Sequence, residues 1–237
     1  MFSEETLVDL LREEKRRRDG DTSRLVFVGT HNVAQYWWCA MYSVLKSRAN
    51  EIEFFAAYLE DRLAYALKLG RITKIPRKRT DVLSAGHDIT LSDVQQLHPR
   101  TLESRDILHD PDPASFRWSF SWDRYVIVGN PDGLARDTVL ERKTAANDYF
   151  AKTVARPVGR TQADLYGFFF GRSRKIVEIK VSEGGSGLNL DEEVDSTRAV
   201  ETLRKFRAVD DGGTPIPPKA EKCRRCEFKD SCSISQA

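Results

Sequence analysis

The sequence predicts an α/β fold, a central mixed sheet flanked by helices, and three observations carry the prediction. Apolar and polar residues alternate from Phe116 to Ala145 (FRWSFSWDRYVIVGNPDGLARDTVLERKTA) and again through KIVEIKV at 175 to 181, the two-residue period of strands. Segments with apolar residues at helical spacing stand before, between and after those tracts, so helices and strands alternate along the chain. Hydrophobic residues make up 40% of the 237, enough to bury a core without staples.

Residues 4 to 18 set Leu7, Leu10 and Leu11 among charges, the pattern of a short amphipathic helix. Val26 to Val28 reads as a brief strand, after which Thr30 or Asn32 can cap a helix running through Val33, Tyr36, Trp37 and Met41, with Cys39 inside it. The clearest helix is EIEFFAAYLEDRLAYALK at 51 to 68: Phe54, Phe55, Tyr58, Leu59, Leu63 and Leu67 form its apolar stripe, and Gly70 stops it. Residues 71 to 114 are punctuated by Pro76, Pro99, Pro111 and Pro113 and read as an irregular insertion with one strand and one short helix. Strands follow from Phe116, then a helix at 161 to 170, a strand at 175 to 181 and a helix at 196 to 209. Gly212, Gly213, Pro215, Pro217 and Pro218 make a linker into a terminal cysteine segment. The expected organisation is an N-terminal helical segment at 1–50, a core at 51–210 and the cysteine segment at 211–237.

Composition excludes several classes. No apolar run approaches the ~18 to 20 residues that span a bilayer, and the charged N-terminus lacks the apolar centre of a signal peptide, so a cytoplasmic protein is expected. The formal charge of +2, from 38 basic and 36 acidic side chains, does not by itself announce a nucleic-acid partner. Basic clusters at Lys15 to Arg18, Arg77 to Arg79, Arg172 to Lys175 and Lys219 to Arg225 read as solvated surface or as phosphate contacts.

The chemistry concentrates in two places. If the chain reverses at Arg136 and Asp137, Ala135 pairs with Thr138, Leu134 with Val139, Gly133 with Leu140 and Asp132 with Glu141. The two carboxylates then share a face, and Lys143, two residues beyond Glu141, points the same way. Like charges opposed on a sheet are destabilising unless something offsets them, and a divalent cation does; the alternative is an exposed hairpin with ordinary charges. Glu178 and Lys180 repeat the E-x-K pattern without a preceding aspartate and read as surface. Gln162 and Tyr166, four apart, present an amide and a phenol on one helix face. At the C-terminus Cys223, Cys226 and Cys232 form C-x2-C-x5-C, and Cys39 stands far upstream; four thiolates suit an iron-sulfur cluster or zinc.

A remote N-terminal cysteine, an Asp…E-x-K hairpin, a Q-x-x-x-Y helix and a terminal C-x2-C-x5-C, in this order from about His31 to Cys232, resemble RecB-like nucleases with an iron-sulfur cluster, and most of all the CRISPR-associated Cas-four family. The resemblance implies a PD-(D/E)xK core that binds Mg2+ or Mn2+ through Asp132, Glu141 and the Arg142 carbonyl, with Lys143 catalytic. It implies Gln162 and Tyr166 near the substrate, and a [4Fe-4S] cluster on Cys39, Cys223, Cys226 and Cys232. The implied activity is trimming of single-stranded DNA ends, 5′ to 3′, beside the Cas-one and Cas-two integrase proteins during spacer acquisition. The family carries a Pro after the first cysteine, here Ala40, and a histidine on the helix before the aspartate, which 51 to 68 lacks. Glu60 is the expected replacement and His87 its rival. Two other readings compete: a noncatalytic DNA-binding or integrase-docking module, and a recombination nuclease outside CRISPR.

Overall fold

The computed structural model describes Asp9, Leu11, Arg12 and residues 25–68, 118–135, 137–182, 185 and 187–236, with side chains omitted over 60–68. The protein is a mixed α/β structure with two mixed sheets, each in its own compact unit, where the sequence led us to expect one central sheet. The first unit comprises Met1–Gly29 and Asn50–Asn130; the second comprises Thr30–Ala49 and Pro131–Ala237. The stretch bearing Cys39 falls in the second unit, with the C-terminal cysteine segment.

In the first unit, β1 (Val26–Gly29) runs parallel to β3 (Tyr125–Gly129), which pairs antiparallel with β2 (Trp118–Trp122). Asp123 makes the β2–β3 reversal at φ +51°, a left-handed conformation that a short polar side chain tolerates. The helix α3 (Glu51–Lys68) has the bounds its periodicity predicts, and Phe55, Tyr58 and Leu59 of its stripe are buried with Phe27, Val126 and Val128. The amphipathic segment at 4 to 18, apart from Asp9, Leu11 and Arg12, lies outside the described residues, as do Gly70 and the insertion at 71 to 114.

The second unit holds the sheet β4 (Gly133–Leu134), β5 (Thr138–Ala145), β6 (Arg174–Val181) and β7 (Leu188–Glu193), in that order. Its outer pairs are antiparallel and β5 runs parallel to β6, so the chain between them crosses over through a helix. That crossover is α4 (Arg156–Phe170), preceded by a helical turn at Asp148–Phe150 and a π-turn at Ala151–Ala155. Pro157 explains the π-turn: it has no N–H to give the carbonyl four residues back. Gly159 lets α4 lie close on the sheet, since a Cβ there would stand 2.9 Å from Val177 and 3.2 Å from Lys143. Beside α4 pack α1 (Thr30–Ala34) and α5 (Ser196–Asp210), the latter capped by Asp195, which accepts the Arg198 N–H.

The single helix expected from Thr30 through Met41 is broken. After α1 a 3-10 turn at Gln35–Trp37 tightens the chain, Trp38 and Cys39 both donate to the Gln35 carbonyl, and α2 (Ala40–Ala49) begins one residue past Cys39. The strand β7 is not expected from the sequence, since LNLDEE ends in three acids, residues depleted in strands. It is an edge strand whose Leu188, Leu190 and Glu192 are half-buried while Asn189, Asp191 and Glu193 face solvent, and charge on an edge is how sheets resist further pairing. The last helix, α6 (Ala220–Arg224), follows a run at 213–219 without regular secondary structure. Among the described residues no helix is long and apolar enough to cross a membrane.

Candidate metal centre and cysteine site

The β4–β5 hairpin has the register that places the carboxylates: Gly133 pairs with Leu140, Leu134 with Val139, and the Ala135 N–H donates to the Thr138 carbonyl at 2.8 Å. Asp132 stands just before β4, exposed, and its Oδ2 accepts the Arg142 N–H at 2.6 Å across the hairpin. Glu141 and Lys143 meet on one face of β5, the Lys143 ammonium donating to Glu141 Oε1 at 2.5 Å.

Glu141 is 2% exposed, and its other oxygen, Oε2, has no hydrogen-bond partner. Burial pushes its carboxyl up to about 7, with the Asp132 charge adding to the rise and Lys143 opposing it. An unsatisfied buried carboxylate oxygen is costly, and a hard cation is a partner that satisfies it. The donor set therefore fits a divalent metal held by Asp132 and Glu141. Among the described residues no group of three or more His, Cys, Asp or Glu side chains is gathered to hold an ion, so the structure shows no complete ligand set. The side chain of Glu60, on α3, and the whole of His87 lie outside the described residues. Arg142 gives its side chain to Glu178 at 2.8 Å, which makes Glu178 the surface partner expected of it.

Gln162, on α4, reaches the same face: its Oε1 accepts from Lys143 Nζ at 2.8 Å and lies 3.2 Å from His31 Nδ1. Gln35 Nε2 lies 2.7 Å from His31 Nε2. With Gln162 oxygen as acceptor, the consistent assignment has His31 donating from Nδ1 and accepting at Nε2 from the Gln35 amide. Burial and then the Lys143 charge lower the His31 pKa, against the Gln162 bond, which favours this neutral form. Tyr166, on the same helix, is 1% exposed beside the Phe170 ring.

His31 and Gln35 were not anticipated as site residues. Their signal is the spacing of four, the same that singled out Gln162 and Tyr166, although Gln35 stands past the end of α1, in the 3-10 turn.

All four cysteines line one small cavity of about 20 Å³, walled by Trp38, Tyr42, Leu45 and Phe228. Lys222 donates to the Trp38 carbonyl at 2.8 Å, Tyr42 donates to Glu227 at 3.1 Å, and Lys46 pairs with Glu227, so the C-terminal segment is tied to α2. Cys223 is buried, and Cys226 Sγ accepts the Phe228 N–H at 3.4 Å. Burial raises the Cys39 pKa; the Tyr42 and Met41 N–H groups favour its thiolate, and charge on Cys226 or Cys232 disfavours it. Although they line one cavity, the four thiols, like the carboxylates, are not gathered among the described residues into a group of three or more that could hold an ion.

No protein-family model matches the chain, and no curated protein does. A solved structure described only as the crystal structure of SSO0001 is 12% identical to it, covers 97% of this chain and 96% of its own, and superposes with a TM-score of 0.42. The functional reading rests on the geometry of the two sites.

Proposed function

We propose that the second unit is a metal-dependent DNA nuclease core of the PD-(D/E)xK kind, acting on single-stranded ends. The observation that carries this is the unsatisfied Glu141 oxygen beside Lys143, on the hairpin that brings Asp132 within the field of Glu141. A divalent cation on Asp132 and Glu141 would supply charge for a phosphate oxygen and acidify an attacking water. Lys143 presents its ammonium to the phosphate and to the developing negative charge of the transition state. Gln162 holds that ammonium by its carbonyl oxygen, and His31, itself held by the Gln35 amide, holds Gln162. Within this reading, 5′ to 3′ trimming during CRISPR spacer acquisition with the Cas-one and Cas-two integrase is the setting that the ordered motif set suggests; the gene neighbourhood tests it.

The experiment is digestion of end-labelled single-stranded DNA with Mn2+ or Mg2+, using anaerobically purified protein and Lys143→Ala or Asp132→Ala beside it. Cation-dependent cleavage lost in both folded variants is expected. Absence of cleavage by wild type, with cation-independent DNA binding, would move the assignment to a noncatalytic binding module.

For the cysteine site we propose a [4Fe-4S] cluster on Cys39, Cys223, Cys226 and Cys232, supported by the four thiols that line one cavity. Zinc on the same thiols is the alternative. Iron and labile sulfide assays on anaerobic protein decide: about four of each per chain supports the cluster, and one zinc without sulfide replaces it.

A further inference from the structure

Beside Lys143 lies a second cavity, of about 290 Å³, which the mechanism above leaves unused. That volume stands at the small end of ligand pockets, which run from roughly 300 to 1,000 Å³. One side is apolar, built by Val154 and Ala155 of the π-turn and by Val158 of α4. Trp38 and Tyr42 supply aromatic surface, and Lys143, His31 and Gln35 supply the polar part. The Gln35 amide is held by its nitrogen on His31, and its Oε1 has no hydrogen-bond partner.

We propose that this cavity seats one unpaired nucleobase, that of the nucleotide whose phosphate meets Lys143. The assignment presupposes the nuclease reading and adds what makes the site prefer single strands. Aromatic surface stacks any base, and the ammonium takes the phosphate one sugar away. A base paired and stacked in a duplex reaches such a pocket only after leaving the stack, whereas an unpaired base enters without that cost. The π-turn is what opens the pocket: it carries Val154 and Ala155 into the wall ahead of α4, so Pro157 shapes the seat although it does not line it.

The test is binding of a fluorescent ten-nucleotide oligothymidylate to the full, anaerobically purified chain in a chelator, with one abasic site moved through every position. The expected result is a single position at which loss of the base raises Kd about tenfold, the size of one base–aromatic stack. In Val154→Trp, which fills the cavity, the intact strand should bind about tenfold more weakly and the special position should vanish. A flat abasic profile in wild type overturns the proposal, and so does failure to bind the strand at all; neither depends on whether the tryptophan variant folds. Digestion of the same strand with Mn2+ is scored separately. Cleavage with a flat profile removes the base seat and leaves the nuclease, whereas a peaked profile without cleavage removes the nuclease and leaves the seat.

Discussion

Two lysine–carboxylate pairs in the second unit have the same 2.5 Å contact and opposite meanings. Lys175 of β6 meets Asp164 of α4, and Lys143 of β5 meets Glu141. Asp164 is 0% exposed and every oxygen is occupied: Oδ1 also accepts the Asp195 N–H at 2.8 Å, and Oδ2 accepts from Arg198 at 3.0 Å. Burial raises its pKa, but Lys175, the Asp195 N–H and Arg198 all oppose the rise. Glu141 has Lys143 alone against burial, and one oxygen with no partner. The first pair is closed and ties α4 and α5 to the sheet. The second is left incomplete in a way that a cation completes, and completeness of partners, rather than burial or distance, separates structure from chemistry here.

The largest effects should fall on different observables. Lys175→Ala leaves a fully buried carboxylate short of its main partner and should cost about 3 to 5 kcal/mol of stability, read as a lower urea midpoint. Lys143→Ala should lower cleavage by at least about 10²-fold with the fold kept. If Lys143→Ala unfolds the protein and Lys175→Ala does not, the comparison is broken.

Glu141 gives the next effect, through pH. Its folded pKa of about 7 lies above the ordinary 4.5, so without metal the folded state binds the extra proton between those values. Stability from this group is present below about pH 4.5 and is lost as pH rises through about 7, by roughly 3 kcal/mol at most. Metal-free wild type should therefore lose stability from pH 5 to 8 more steeply than Glu141→Gln, and Mn2+ should restore wild type at pH 8 but not the variant. Equal slopes in the two proteins would sink the claim that Glu141 is buried without a compensating charge.

Much of this contrast was legible in the sequence, and the rest was not for stateable reasons. The two-residue period fixes Glu141 and Lys143 on one face, and the short turn fixes the hairpin register, so local rules suffice there. The cysteines line one cavity, and Lys222 and Glu227, next to Cys223 and Cys226, tie that segment back to Trp38, Tyr42 and Lys46. What local rules could not give was tertiary. Asp164 reads as a polar residue on a helix until β6 brings Lys175 against it and α5 brings Arg198. The break at Cys39 depends on a carbonyl shared by two N–H groups, and the burial of Tyr166 depends on neighbours that arrive from elsewhere in the chain.

The smallest effect sharpens the comparison most, because it asks whether the incomplete pair is also held from behind. His31 touches neither carboxylate; it donates to the Gln162 oxygen that also receives Lys143. Removing it takes away the contact that fixes the Gln162 side chain, so its oxygen is no longer held against Lys143, and Glu141 is left as the acceptor that orients the ammonium. His31→Ala should lower kcat about five- to tenfold, the worth of one hydrogen bond, with KM nearly unchanged. His31→Asn keeps an N–H donor near the Nδ1 position and should recover most of the loss, which a residue acting only through packing would not allow. Equal kcat in wild type and His31→Ala would mean that Glu141 alone orients the lysine. The open pair would then owe its geometry to β5 and to nothing behind it.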